Sequence, residues 1–167
     1  MMAKNVAELE SERLILRGIT EDDALEIVEW RSDPEAYKFF RSPHRITMDE
    51  HLAWFRNNYL SNDNRLDWMC FEKSSGSKIG VFGSVVLRLT GGGEAEINYM
   101  LKPEARHKGY ASEAVRRIIQ YVRSEFHIKR FIAEIHKDNL PSVALAERNG
   151  FTLESSSGDF LLYVSEG

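Results

Sequence analysis

Arg106-His107-Lys108-Gly109-Tyr110-Ala111 is the segment of this chain best equipped for chemistry, because it joins an apolar strand-like run to a strongly amphipathic one. A helix that starts here presents unpaired backbone N–H groups and the positive end of its dipole, and both favour phosphate oxygens. Gly109 removes a side chain from the approach, Arg106 and Lys108 add positive charge, and His107 can donate a further hydrogen bond. One glycine among three basic residues also describes an ordinary solvated helix start, so the loop needs its context. No neighbouring pattern suggests a Ser-His-Asp triad.

Periodicity supplies the elements that must hold this loop. Arg13-Leu14-Ile15-Leu16-Arg17 is apolar and bounded by charge, which predicts a first strand. Thr20 and Asp23 read as a capping box for a helix that buries Leu25, Val28 and Trp30 and stops at Pro34. Thr47 and Glu50 repeat the pattern for a second helix, with Leu52, Phe55 and Tyr59 as its apolar face. Strands over 66–72 and 79–89 are expected to be antiparallel neighbours about the turn Ser74-Ser75-Gly76-Ser77. Gly91-Gly92-Gly93 punctuates before a strand over 94–101, whose alternation sets Glu94, Glu96, Asn98 and Met100 against Ala95, Ile97, Tyr99 and Leu101.

After the loop, Ala111, Ala114, Val115, Ile118, Ile119, Val122 and Phe126 recur at the spacing of one buried helix face. A strand over 131–136 follows, then a short helix entered by Pro141 and ended at Asn149-Gly150. Strands over 151–154 and 160–164 close the chain around Ser157-Gly158-Asp159. This order predicts an α/β (α+β) architecture, a mixed sheet covered by helices.

With 167 residues and 43% hydrophobic content, one domain over 1–167 can form its core without disulfides or a structural metal. A net charge of -4 and a pI near 5.8 give no bulk attraction to nucleic acid, and no basic stripe with interleaved aromatics stands out. Cys70 is the single cysteine and sits in the apolar run Trp68-Met69-Cys70-Phe71, so it reads as a buried hydrophobe in a reducing compartment. No segment reaches the ~18 to 20 apolar residues of a membrane span, and Met1 to Val6 lacks a signal-peptide core. A soluble, cytoplasmic chain with no membrane, nucleic-acid or metal partner is expected.

Arg106-x-x-Gly109-x-Ala111 resembles the R/Q-x-x-G-x-G/A loop of GNAT acetyltransferases, and it follows their strand-Pro pattern in residues 97–104. Asn139-x-x-Ser142 leading to Asn149-Gly150-Phe151 is similar to the family's N-x-x-S/A helix and closing G-F turn. The resemblance implies a mostly antiparallel twisted sheet of about seven strands with about four helices, splayed in a V between the fourth and fifth strands. It further implies acetyl-CoA as co-substrate. Backbone of Tyr99, Met100 and Leu101 would pair with the pantetheine arm, and N–H groups from His107 through Ser112 would hold the pyrophosphate. Asn139 matches a position that commonly bonds the pantetheine.

Acetyl transfer to an amine requires removal of an ammonium proton and protonation of the departing thiolate. Glu96 and Glu134, one in each splaying strand, resemble the family's acidic positions and are the candidate bases; either also suits a sheet-face ion pair. Relatives that use a helix tyrosine as acid carry it where this chain has Ala146. Ser142 stands where the subgroup similar to ribosomal-protein N-terminal acetyltransferases has a serine, and it equally suits a helix-start hydrogen bond. Trp30-Arg31-Ser32-Asp33-Pro34 and His51-x-x-Trp54-Phe55 resemble amino-sugar-nucleotide N-acetyltransferases of the pseudaminic acid type, where Arg41 and Arg45 would meet a nucleotide phosphate. The small-molecule or peptide acceptor is thus an amino-sugar nucleotide or a protein N-terminus, with polyamines third. A homodimer is compatible with all three. The rival reading is a non-catalytic acyl-CoA sensor or partner domain.

Overall fold

The computed structural model describes residues 4–89 and 92–166. In chain order the elements are β1 (Leu9–Glu10), β2 (Leu14–Gly18), α1 (Ala24–Arg31), α2 (Pro34–Tyr37), α3 (Met48–Trp54), β3 (Arg65–Glu72), β4 (Lys78–Leu89) and β5 (Gly92–Leu101). They continue as α4 (Tyr110–Phe126), β6 (Arg130–His136), α5 (Leu140–Arg148), β7 (Thr152–Ser157) and β8 (Phe160–Ser165). The strands form one sheet in the order β1-β2-β3-β4-β5-β6-β8-β7. Every neighbouring pair is antiparallel except β5 and β6.

That parallel pair is short. It joins Glu94, Ala95 and Glu96 to Arg130, Phe131 and Ile132 and then stops, although β5 runs on to Leu101 and β6 to His136. The sheet therefore opens beyond Glu96; the splay expected between the fourth and fifth of about seven strands falls between the fifth and sixth of eight, because the two-residue β1 adds a strand at the edge. Elsewhere the register aligns Arg65, Val85, Glu96 and Ile132 in one row and Asp67, Gly83 and Asn98 in the next. Directly paired residues share a face, so these rows lie on the same side.

Alternation sorts the side chains into two cores. Leu16, Trp68, Phe82, Ala95 and Phe131 point to the side where Ala114, Ile118 and Val122 of α4 and Leu145 of α5 pack. Full burial of a side chain such as Phe82 or Ile118 contributes about 1.5–3 kcal/mol. On the opposite face Met69 packs with Ile27 and Trp30 of α1 and with Phe55 and Tyr59, which continue α3 in a π-type turn.

Some expectations are corrected. A short 3-10 turn, Glu21–Asp23, precedes α1 and shifts its phase, so Ala24, Ile27 and Trp30 are buried while Leu25 is 67% exposed. Pro34 does not merely end α1; with Asp33 as its cap it opens the one-turn α2. The buried face of α3 and its continuation is His51, Phe55 and Tyr59, with Leu52 only half-buried. Of the glycine triplet, Gly92 and Gly93 pair within β5, and Gly91 lies outside the described residues, as do Met1, Met2 and Ala3. No helix among the described residues is long and apolar enough to cross a membrane.

Candidate functional site

Two regions flank the opening between β5 and β6. One is the start of α4. His107 and Gly109 both hold positive φ, 64° and 80°, a conformation natural to glycine and strained for histidine. The first N–H groups of a helix have no partner within it, and none from residues 107–112 bonds a backbone carbonyl of a loop or turn among the described residues. These groups border a cleft of about 820 Å³ whose lining includes Arg13, His107, Gly109, Ser112, Arg116, Arg117 and Arg148, with Glu12 and Glu113 as its acidic members and Glu113 tied to Arg13. Arg13 braces the turn from β1–β2, donating to the Lys108 carbonyl at 2.9 Å and to Glu113 at 2.7 Å.

The loop residues do not all face this cleft. Tyr110 and Ala111 are buried, and the Tyr110 phenol donates to Glu72, so only their backbone reaches the opening. The Ser112 hydroxyl exchanges hydrogen bonds with Asn149, at 3.1 and 2.9 Å. Arg106 turns back toward the Leu101 carbonyl at 3.5 Å, while Lys108 stays exposed. Arg116, Arg117 and Arg148 were missed in the sequence. Their signal was basic residues one to two turns along α4 and at the end of α5, on the side of Ser112.

The second region is the splay itself. Tyr99, Met100 and Leu101 follow the last β5–β6 pair, so no strand among the described residues pairs with them on that side. Asn139 caps α5, with its backbone N–H donating to the His136 carbonyl at 2.9 Å and no capping hydrogen bond from its side chain among the described residues. Ser142 lies 3.0 Å from the Tyr99 phenol. Ala146, where relatives carry the tyrosine, is buried in the core and offers no donor.

The two glutamates differ sharply. Glu134 receives both arms of the Arg41 guanidinium, and Arg41 lies over Phe160 at 4.5 Å. Arg41 is therefore engaged with a carboxylate, and Arg45 is exposed. Glu96 makes no hydrogen bond or ion pair among the described residues. Burial, followed by the charge of Glu134, lifts its carboxyl above the usual range, with Arg65 and Arg41 opposing. Arg65 itself pairs with buried Asp67 at 2.7 Å and lies over Trp54 at 5.0 Å.

Gly83 makes room for this polar face: a Cβ there would fall 2.5 Å from Asp67 Oδ1 and 2.8 Å from Asn98 Oδ1. The segment that follows α2 roofs it, with Phe40 under the Arg31 guanidinium at 5.3 Å and Phe39 against His136 at 5.5 Å. His51, singled out in the sequence, is 3% exposed and its Nε2 has no hydrogen-bond partner among the described residues.

A mostly antiparallel sheet opened at its parallel pair, with a helix start and basic cleft at the opening, has the architecture of an acetyltransferase domain. The family described as Acetyltransferase (GNAT) domain matches residues 13–152, and the chain belongs to it. An uncharacterized N-acetyltransferase of Bacillus licheniformis, p20, is 30% identical over 158 residues, covering 91% of this chain and 86% of that protein. A Methanocaldococcus jannaschii protein, MJ1062, is 28% identical over 146 residues, covering 85% of this chain, which spans 28% of its length. Among solved structures, RimL, a ribosomal L7/L12 alpha-N-protein acetyltransferase in complex with coenzyme A, has a TM-score of 0.81 at 20% identity, covering 96% of this chain and 98% of its own. Spermidine N-acetyltransferase from Vibrio cholerae, in complex with CoA and spermine, has a TM-score of 0.79 at 17% identity, covering 92% and 94%.

Proposed function

We propose that this chain is an acetyl-CoA-dependent N-acetyltransferase that transfers acetyl directly to a primary amine, acting in a reducing, cytoplasmic setting. The observation that carries the reading is Glu96, a half-buried carboxylate without a partner at the point where the sheet opens. The pyrophosphate lies on the N–H groups of residues 107–112, with Arg116, Arg117 and Arg148 around it, and the pantetheine arm runs beside Tyr99 to Leu101 toward Asn139. Family membership and the basic cleft support this path.

In the reaction Glu96 takes a proton from the acceptor ammonium, directly or through water. The amine lone pair then forms the C–N bond as the thioester C–S bond breaks, and the thiolate takes a proton from Ser142, backed by the Tyr99 phenol; the second proton shed by the new amide nitrogen passes through water to restore the serine–phenol pair, and Glu96 returns its proton to solvent. Glu134, tied to Arg41, shapes the field around Glu96. Cys70 takes no part: burial pushes its thiol up to about 12.

The acceptor is an amino-sugar nucleotide or a protein N-terminus. Arg31, the half-buried arginine of the acceptor face that has no carboxylate partner among the described residues, speaks against a polyamine. Thiol release from acetyl-CoA in the presence of pooled amines tests the reading. Release with a mass gain of one acetyl group on an amine supports it; a melting shift with CoA but no thiol release with any pool would make the chain an acyl-CoA-binding module.

A further inference from the structure

The charged groups on the acceptor face can be matched one by one. Arg65 is held by Asp67, Arg41 by Glu134, and Lys78 by Asp23 and Glu26. Two half-buried groups of opposite sign on this face have no such partner among the described residues. Glu96 has no partner, and Arg31 makes no hydrogen bond or ion pair among the described residues. Arg65 connects them, since its charge acts on both.

Arg31 ends α1, where a cation would serve the helix dipole. A dipole role is met by an exposed guanidinium in water. This one is half-buried, covered on one face by Phe40, and has the Arg65 cation as a near neighbour. Asp67 is the anion in range, but its carboxylate is engaged with Arg65 at 2.7 and 3.3 Å. Asp67 and Glu96 both act on Arg65, but neither pairs with Arg31, whose half-buried guanidinium keeps its donors without a carboxylate among the described residues. Arg31 also acts on the neighbouring His51, which burial holds neutral and whose buried Nε2 has no hydrogen-bond partner among the described residues. A planar guanidinium with free donors is matched geometrically to carboxylate and phosphate.

We infer that the acceptor carries an oxyanion beside its amine, and that Arg31 is the specificity-determining residue that reads it while the amine faces Glu96. The inference rests on the acetyltransferase reading. A phosphate, as in a sugar phosphate, and a carboxylate, as in an acidic peptide, share this chemistry, whereas a second cation would meet Arg31.

The test titrates matched amines into the CoA-loaded chain by calorimetry: glucosamine against glucosamine 1-phosphate, and alanine amide against the dipeptide Ala-Asp. The anionic member of at least one pair binds about tenfold more tightly, Arg31→Gln abolishes that difference, and Arg31→Lys restores part of it. The pair that responds identifies phosphate or carboxylate. Arg31→Gln is compared only with its CoA affinity and melting temperature intact; if it does not fold, Arg31→Lys, which keeps the charge but loses the fork, must weaken the preference. Equal binding within both pairs, or a preference that neither variant alters, overturns the inference whether or not amines are acetylated. Thiol release is read separately, so its absence with every amine counts against the transferase reading and not against the oxyanion site.

Discussion

The phenolic oxygen of Tyr99 and the hydroxyl of Ser142 lie 3.0 Å apart, tying β5 to the first turn of α5 across the mouth of the splay. Burial holds the Tyr99 phenol above its ordinary range, with the Ser142 hydrogen bond and Arg148 opposing, so it is protonated at neutral pH and able to donate. A phenol that donates to Ser142 leaves the serine proton free for a sulfur. Ser142→Ala is therefore expected to lower kcat by about 10- to 100-fold with CoA affinity unchanged. Tyr99→Phe lowers it less, and the double variant resembles Ser142→Ala because the two groups act as a unit. Steady-state kinetics with calorimetry for CoA decides; wild-type kcat in both variants removes the pair from proton delivery.

The pH profile should report Glu96. Its carboxyl is raised first by burial and then by Glu134, and a base must be ionised, so kcat/KM falls as pH drops through that raised value. Glu134→Gln removes the like charge and shifts the acid limb to lower pH. Arg41→Ala removes an opposing cation and releases the Glu134 carboxylate, and both effects shift the limb to higher pH. Glu96→Gln removes the limb and slows turnover about 100-fold. Displacements of the opposite sign would assign the limb to another group.

What the sequence revealed, and what it hid, follows from interaction range. The α4 face was legible because seven apolar residues repeat at helical spacing, and the loop because its glycine and basic residues are adjacent in the chain. The α1 face was misread because a 3-10 turn changes helical phase without changing composition. A strand of two residues, β1, is too short for any period to register. The pairs that separate the two glutamates were also hidden, since Arg41 and Glu134 stand 93 residues apart and meet only because the sheet brings β6 under the segment after α2. Arg65 and Asp67 are close in sequence and Asp67 lies inside the expected strand, yet nothing in the chain shows that its carboxylate is buried until Gly83, across the sheet, is seen to leave it space.

Gly109 tests the cradle. Its φ of +80° is costly for any side chain, and an added Cβ would come within 3.4 Å of Arg13 Nη2. Gly109→Ala is expected to destabilise the chain by about 1–2 kcal/mol and to weaken CoA binding by a larger factor than it weakens acceptor binding. Urea unfolding and calorimetry separate the two effects. Undiminished CoA affinity in a variant of lowered stability would move the diphosphate site elsewhere.

Asp23 anchors the acceptor side to the sheet. Burial by itself would raise its carboxyl, yet Arg17 at 3.0 Å, Lys78 at 2.9 Å and the Thr20 N–H at 2.8 Å together hold it below the usual range. A carboxylate depressed in the folded state adds stability that is complete above its unfolded pKa and is lost as pH falls through the lower folded value. Asp23→Asn keeps the shape but leaves two cations facing a neutral group, at an expected cost of about 3–5 kcal/mol near neutral pH. The variant's stability should also vary less with pH on the acid side. Glu10, whose side chain is 67% exposed where it meets Lys73, is the control, and Glu10→Gln should leave the unfolding midpoint where it is. Equal responses of the two variants in urea titrations at several pH values would mean that α1 is fixed by its apolar contacts alone, with Asp23 contributing only surface charge.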